Sequence, residues 1–164
     1  MKGIYEGIDI VIFDVMGVII TSPSLVKKGI VRKNFLEMFV LNPEFWEFRD
    51  FLEKKNLKKG ILSNMPKVWG EYFFKKLNLV GEFDPIVLSG EVGMRKPDRE
   101  IYLEFEKRSG IPLGKSLFID DKLGNLETAS NLGIKTVHFR RGKNKRNGGK
   151  FKPDYEITSF AELF

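Results

Sequence analysis

The sequence predicts an open α/β fold built on a central, mostly parallel sheet. Three observations predict it. Short apolar runs alternate with segments of helical spacing along the chain. Several of those runs are continuously apolar, as strands covered on both faces are. Three of them end in polar residues, Asp14, Ser63-Asn64 and Asp120-Asp121.

The elements follow in order. Asp9 to Phe13 is an apolar run closed by Asp14 and reads as the first strand. Pro43 to Asn56 places Phe45, Phe48, Phe51 and Leu52 on one helical face. Lys59 to Asn64 is a second strand with a polar end. Pro66 is expected to open the next helix, where a missing N–H costs nothing. That helix carries Val68, Trp69, Tyr72, Phe73 and Leu77. Pro85 to Leu88 is a third strand. Pro97 is expected to start a helix holding Ile101, Tyr102 and Phe105, stopped by Gly110. Ser116 to Asp121 is again apolar and ends in acids. Leu126, Ala129 and Leu132 follow at helical spacing before Gly133. Thr136 to Phe139 and Tyr155 to Thr158 are the last strands. Between the first strand and the first core helix, Val31 to Val40 reads as one short helix. Trp46 and Trp69 are expected in the core, and His138 as a packed strand residue.

Composition bounds the function. At 164 residues the chain predicts one domain with a sizeable core. With 42% hydrophobic and 30% charged residues it has the balance of a soluble globular protein. Without cysteine it has neither disulfides nor thiolate metal sites, which fits a reducing cytoplasm. One histidine, His138, excludes a multi-histidine metal site. The apolar run Ile10 to Ile20 is broken by Asp14 and is too short to span a bilayer, so no membrane association is expected.

The net charge is +6, but Arg140, Arg141, Lys143, Lys145, Arg146, Lys150 and Lys152 lie in one stretch. The excess is therefore one local basic loop, 140–152, rather than a basic surface. A run of this kind is commonly a solvated loop. It leaves the same edge as the polar strand ends, so a nucleic-acid backbone is a second reading of it.

In open parallel sheets the carboxyl ends of strands line the binding crevice. Asp14, Ser63, Asn64, Asp120 and Asp121 therefore meet at one edge. Lys96, in Gly93-Met94-Arg95-Lys96-Pro97-Asp98, precedes a helix and reaches the same edge. Each has a plainer reading alone: Ser63 caps the following helix, and Asp120-Asp121 caps the next. Together they make three carboxylates, a hydroxyl and a lysine. Clustered carboxylates with only oxygen ligands call for a hard cation such as Mg²⁺. The cation and Lys96 would keep Asp14 ionised, and their charge suits an anionic substrate, with phosphate the first choice.

These segments resemble, in order, the four motifs of the haloacid dehalogenase-like (HAD) hydrolase superfamily. Phe13-Asp14-Val15-Met16-Gly17-Val18-Ile19 resembles the first, Asp-x-Asp-Gly-Thr/Val. Leu62-Ser63-Asn64 resembles the second, and Lys96 with its Gly-Met-Arg-Lys-Pro-Asp context the third. Phe118-Ile119-Asp120-Asp121, with Asn125 and Ala129 to Ile134, resembles the fourth, and Pro153 to Ser159 resembles the usual tail. The resemblance covers nearly all of the chain outside about 20–42. It implies a three-layer, Rossmann-like sandwich with strand order 5-4-1-2-3. It implies that Asp14 attacks phosphorus to form an aspartyl-phosphate, with Ser63 and Lys96 also catalytic. Ser63, the backbone N–H groups around Asn64, and Lys96 would hold the phosphate. Asp14, Asp121 and the carbonyl of Met16 would bind Mg²⁺, with Asp120 beside or just behind them.

The pattern breaks in two places. Relatives usually carry a second Asp two residues after the nucleophile, as general acid and base; here Met16 stands there. Losing such a group slows catalysis by ~10²–10⁴-fold, roughly 3–5 kcal/mol of barrier. The loss falls hardest on alkyl phosphates and lightly on acyl, anomeric or anhydride phosphates. The second departure is the cap: after the first motif only about 23 residues, Thr21 to Pro43, are available before the next core helix. One domain over 1–164, with a flap or reduced cap at about 20–42, leaves the site open. The substrate is then a small phosphorylated compound or a macromolecule reaching an open site, and the chain a monomer or homodimer. The alternatives are a catalytically weak phosphate-binding or regulatory protein, and a nucleic-acid-associated protein acting through 140–152.

Overall fold

The computed structural model describes residues 3–21, 35–140 and 150–164. β1 (Ile10–Phe13) is followed by a short β2 (Ile20–Thr21) and β3 (Val40–Leu41), then α1 (Phe45–Lys54), β4 (Lys58–Ser63) and α2 (Lys67–Lys76). Next come β5 (Ile86–Leu88), a single turn α3 (Ser89–Val92), α4 (Arg99–Ser109) and β6 (Ser116–Asp120). α5 (Leu123–Asn131), β7 (Lys135–Phe139), β8 (Tyr155–Ile157) and a 3₁₀ turn Phe160–Leu163 complete the described chain.

The main sheet has the order β5-β4-β1-β6-β7-β8, and every neighbouring pair in it is parallel. This is the expected five-strand order, with β8 added at one edge. Side chains alternate across β1: Val11 and Phe13 enter one core, Ile10 and Ile12 the other. The first core is roofed by Phe45, Phe48 and Leu52 of α1, Phe73 and Phe74 of α2, and Phe160. The second is roofed by Ile101, Tyr102 and Phe105 of α4 and Leu126 and Ala129 of α5. Three layers result, and β1 is apolar throughout because both of its faces are covered. Phe13 is the hub of the first core, with edge-on contacts to Phe45, Phe48, Phe83 and Phe160.

Four local readings need correction. Leu36 and Glu37 lie in a 3₁₀ turn, Phe35–Met38, and Val40 is in β3, paired antiparallel with β2, rather than in a helix over Val31 to Val40. Residues 31–34 lie outside the described residues, as do 22–30 of the flap and 141–149 of the basic loop. Pro66 stands one residue before α2 as its N-cap, and Pro97 does not open α4: Asp98 is the N-cap, and the Lys96–Pro97 bond is cis. Trp46 and Trp69 are half-buried against the core rather than within it. Trp46 instead stacks under the Arg49 guanidinium, 5.0 Å from its ring centre. Among the described residues, no helix is long and apolar enough to cross a membrane.

Candidate active site

The chain order places the crevice where the sheet's connectivity reverses. From β1 the chain runs outward through β4 and β5, then returns to β6 on the other side of β1. Such a switch point opens a crevice at the strands' carboxyl ends. Asp14 follows β1 directly and still donates its N–H to the Ile119 carbonyl at 2.9 Å. Ser63 ends β4 and Asp120 ends β6. Lys96 comes from the loop after α3.

These side chains meet. Asp14 Oδ1 accepts from Ser63 Oγ at 2.8 Å and from Lys96 Nζ at 2.9 Å. Lys96 Nζ also donates to Asp120 Oδ2 at 2.6 Å. Lys96 is only 2% exposed and lies 5.0 Å from the centre of the Phe118 ring. Burial alone would discharge it, but two carboxylates in contact overcome that and raise its pKa. Asp14 moves upward as well, because burial and the neighbouring Asp120 outweigh Lys96 and Ser63.

Asp120 and Asp121 differ in what binds them. Asp120 is fully buried and engaged on both oxygens, by Lys122 N–H at 2.8 Å, Asn125 Nδ2 at 2.9 Å and Lys96. Asp121 Oδ1 is buried and, among the described residues, has no hydrogen-bond partner. Burial, then Asp120 and Asp14, push the Asp121 carboxyl up to about 6. Asp14, Asp120 and Asp121 each offer an oxygen within 4.8 Å of the others. An orphaned buried carboxylate oxygen beside two more carboxylates fits a hard cation, and Asp121 is better placed than Asp120 to touch it directly.

Gly17 keeps that space open. Its φ is 96°, and a Cβ there would lie 2.5 Å from Asp121 Oδ2. The turn around it is tied by Val15, whose carbonyl accepts from the N–H groups of Ile19 and Ile20. Met16, one residue earlier, is half-buried against the first core, in keeping with an apolar filler.

The neighbouring side chains hold the site together. The Asn64 side chain clamps the Lys96 backbone: Nδ2 donates to the Lys96 carbonyl at 2.7 Å, and Oδ1 accepts from its N–H at 2.8 Å. Asn64 can therefore offer a ligand its backbone only. Ser63 makes no cap bond to α2; its hydroxyl serves Asp14. Asn125 anchors Asp120, and Tyr102 Oη in turn donates to the Asn125 carbonyl at 2.8 Å. His138 lies beside the site, with Nε2 at 3.3 Å from the Asp121 carbonyl. The Asn64 clamp and the Tyr102 contact carry no sequence signal, since both reach across the sheet to backbone atoms.

A family model described as haloacid dehalogenase-like hydrolase matches residues 27–139, and the chain belongs to that family. It is 27% identical over 146 residues to a glyceraldehyde 3-phosphate phosphatase of Methanocaldococcus jannaschii, covering 86% of this chain and 63% of that protein. The chain thus spans less than two-thirds of that relative's length. Its fold superposes on a HAD phosphatase from Thermococcus onnurineus with a TM-score of 0.80 at 20% identity, over 95% of this chain and 96% of that one. A HAD family enzyme from Bacteroides thetaiotaomicron, solved with magnesium and inorganic phosphate, superposes with a TM-score of 0.69 at 17% identity, over 85% and 97%.

Proposed function

We propose that this chain is a Mg²⁺-dependent phosphohydrolase or phosphotransferase that works through an aspartyl-phosphate on Asp14. One observation carries the reading: a buried Asp14 shares its Oδ1 between Ser63 and Lys96, beside an Asp121 oxygen that has no partner among the described residues. The phosphatase relative and the magnesium–phosphate complex of a structural neighbour support it.

Asp14 Oδ1 is held by two donors, so Oδ2 is the oxygen that attacks phosphorus. The bond from phosphorus to the leaving oxygen breaks as the Oδ2–phosphorus bond forms. Water then attacks the phosphorus, freeing phosphate and the Asp14 carboxylate. Lys96, Ser63 and the backbone N–H groups near Asn64 take up charge on the phosphoryl oxygens. Asp14, Asp121 and the Met16 carbonyl would hold Mg²⁺, with Asp120 fixing Lys96 behind them; when bound, the ion offsets the carboxylate charge and polarises the phosphoryl group. Met16 cannot protonate the leaving oxygen, so the substrate is a small phosphorylated compound whose leaving group departs as a weak base. The short insertion at about 20–42 of this single domain leaves the site open, to such a substrate or to a macromolecule. We place the chain in the cytoplasm, as a monomer or homodimer.

Phosphate release should be measured for a panel spanning good and poor leaving groups, with and without Mg²⁺, beside Asp14→Asn. Turnover that needs Mg²⁺, favours acyl, anomeric or aryl phosphates and vanishes in the variant is expected. Met16 also favours a second reading, a phosphate-binding or regulatory protein. A folded chain that binds phosphate and Mg²⁺ but turns over no compound would establish that reading instead.

A further inference from the structure

A cleft of about 660 Å³ opens beside the site, and the proposed reaction uses none of its side chains. Its size is in the range of small-molecule pockets. Its walls begin one residue away from both groups that hold Asp14. Asn64 follows Ser63, and Arg95 precedes Lys96. From there it runs between the start of α2 and the loop after α3, over Met65, Val68 and Met94. Val68 is 66% exposed, an apolar side chain facing solvent at the cleft.

The charge of the cleft is one-sided. Arg95 and Lys67 line it, and no lining residue is acidic. Lys67 shares its charge with Glu71 at 3.8 Å across an exposed i,i+4 pair. Arg95 is exposed and, among the described residues, forms neither a salt bridge nor a side-chain hydrogen bond. Nearby Glu91 is engaged by Arg108 at 3.0 Å. An unpaired guanidinium is suited to bidentate recognition of a planar or tetrahedral oxyanion.

We propose that this cleft binds the leaving-group half of the substrate, and that this half carries an apolar body with a second anionic group, carboxylate or phosphate, paired with Arg95. The proposal rests on the phosphate-site reading above and names the substrate class for it. The phosphate to be transferred lies at Asp14, the apolar body lies on Met65, Val68 and Met94, and the second anion pairs with the exposed Arg95, with Lys67 adding long-range attraction. With only about 23 residues, Thr21 to Pro43, available for a cap, this core cleft is the specificity surface.

The test is calorimetric, on the intact chain with Mg²⁺, using phenylphosphonate and para-carboxyphenylphosphonate, which differ only in the distal anion. The carboxylated probe should bind about tenfold more tightly, and Arg95→Gln should erase that advantage. Lys67→Gln should reduce it in part, with a shallower salt dependence. Equal affinities for the two probes, or an advantage kept in Arg95→Gln, would overturn the proposal. Phosphate release, measured separately, tells the two readings apart. An Arg95-dependent advantage in a chain that hydrolyses no ester supports the cleft and contradicts the hydrolase. Turnover with no such advantage does the reverse.

Discussion

Asp121 carries the clearest electrostatic demand in the site. Its carboxyl is raised to about 6 by burial and by Asp120 and Asp14, and one of its oxygens has no partner among the described residues. In the unfolded chain this group ionises near its ordinary value of 3.8. Between about pH 4 and pH 6 the folded chain thus holds a proton that the unfolded chain has released, so stability falls as pH rises through that window. Asp14, also raised, acts in the same direction. The cation-free melting temperature should therefore drop on going from about pH 4 to about pH 7, and Asp121→Asn should flatten that drop. At neutral pH Mg²⁺ should raise the melting temperature of the wild type, by about 2–4 °C per kcal/mol of binding, and leave Asp121→Asn unmoved. A Mg²⁺ response equal in both chains would remove Asp121 from the metal site. Met16 makes a second demand. Met16→Asp should raise alkyl phosphate turnover by about 10²-fold or more and change acyl phosphate turnover little. Steady-state kinetics on the two classes checks this, and equal gains on both would contradict the role given to Met16.

At the scale of elements, two clamps place the loops. Asn64, at the end of β4, holds the Lys96 backbone by two hydrogen bonds across the β4 and β5 loops. Asn64→Ala should destabilise the chain by about 1–3 kcal/mol in urea unfolding and lower kcat along with it. A loss of stability with kcat intact would show that Lys96 does not need the clamp. On α2, Lys76 Nζ donates to the Glu37 carbonyl at 2.8 Å and the Phe39 carbonyl at 3.2 Å, tying the flap base to the core. Lys76→Met should speed amide hydrogen exchange over 35–41 and leave β1 protected. The main elements were legible because their apolar runs and helical spacings are strong: β4 and β6 end in Ser63 and Asp120, and Asp14 directly follows β1, as the sequence predicts. The flap was not. Phe35, Leu36 and Phe39 have the spacing of a helix, but Phe39 turns into the core against Phe73, and Val40 pairs with Thr21. Pro97 carried the usual signal of a helix start, whereas here it follows a cis bond and α4 begins two residues later. Lys96, Ser63 and the three aspartates were legible as types in order; the difference between an engaged Asp120 and an unsatisfied Asp121 was not, because it depends on which donors fold back toward each.

At the scale of the whole molecule, the sheet order gathers the site. β1 sits between β4 and β6, so Asp14 is flanked by Ser63 on one side and Asp120 on the other. Phe13, the residue before Asp14, packs against four aromatic rings and fixes the height of Asp14. Phe13→Ala should cost about 3–5 kcal/mol in thermal or urea unfolding, a large share of a small domain's stability. These placements support the proposal that Asp14 takes a phosphoryl group onto itself. Its most direct test is to mix the chain with Mg²⁺ and an acyl phosphate, quench in acid within the first turnovers, and map phosphorylation by mass spectrometry. A transient phosphoryl group on Asp14 is expected, absent without Mg²⁺ and absent in Asp14→Asn. Phosphate release with no phosphoryl group on Asp14, or one that persists in Asp14→Asn, would contradict it.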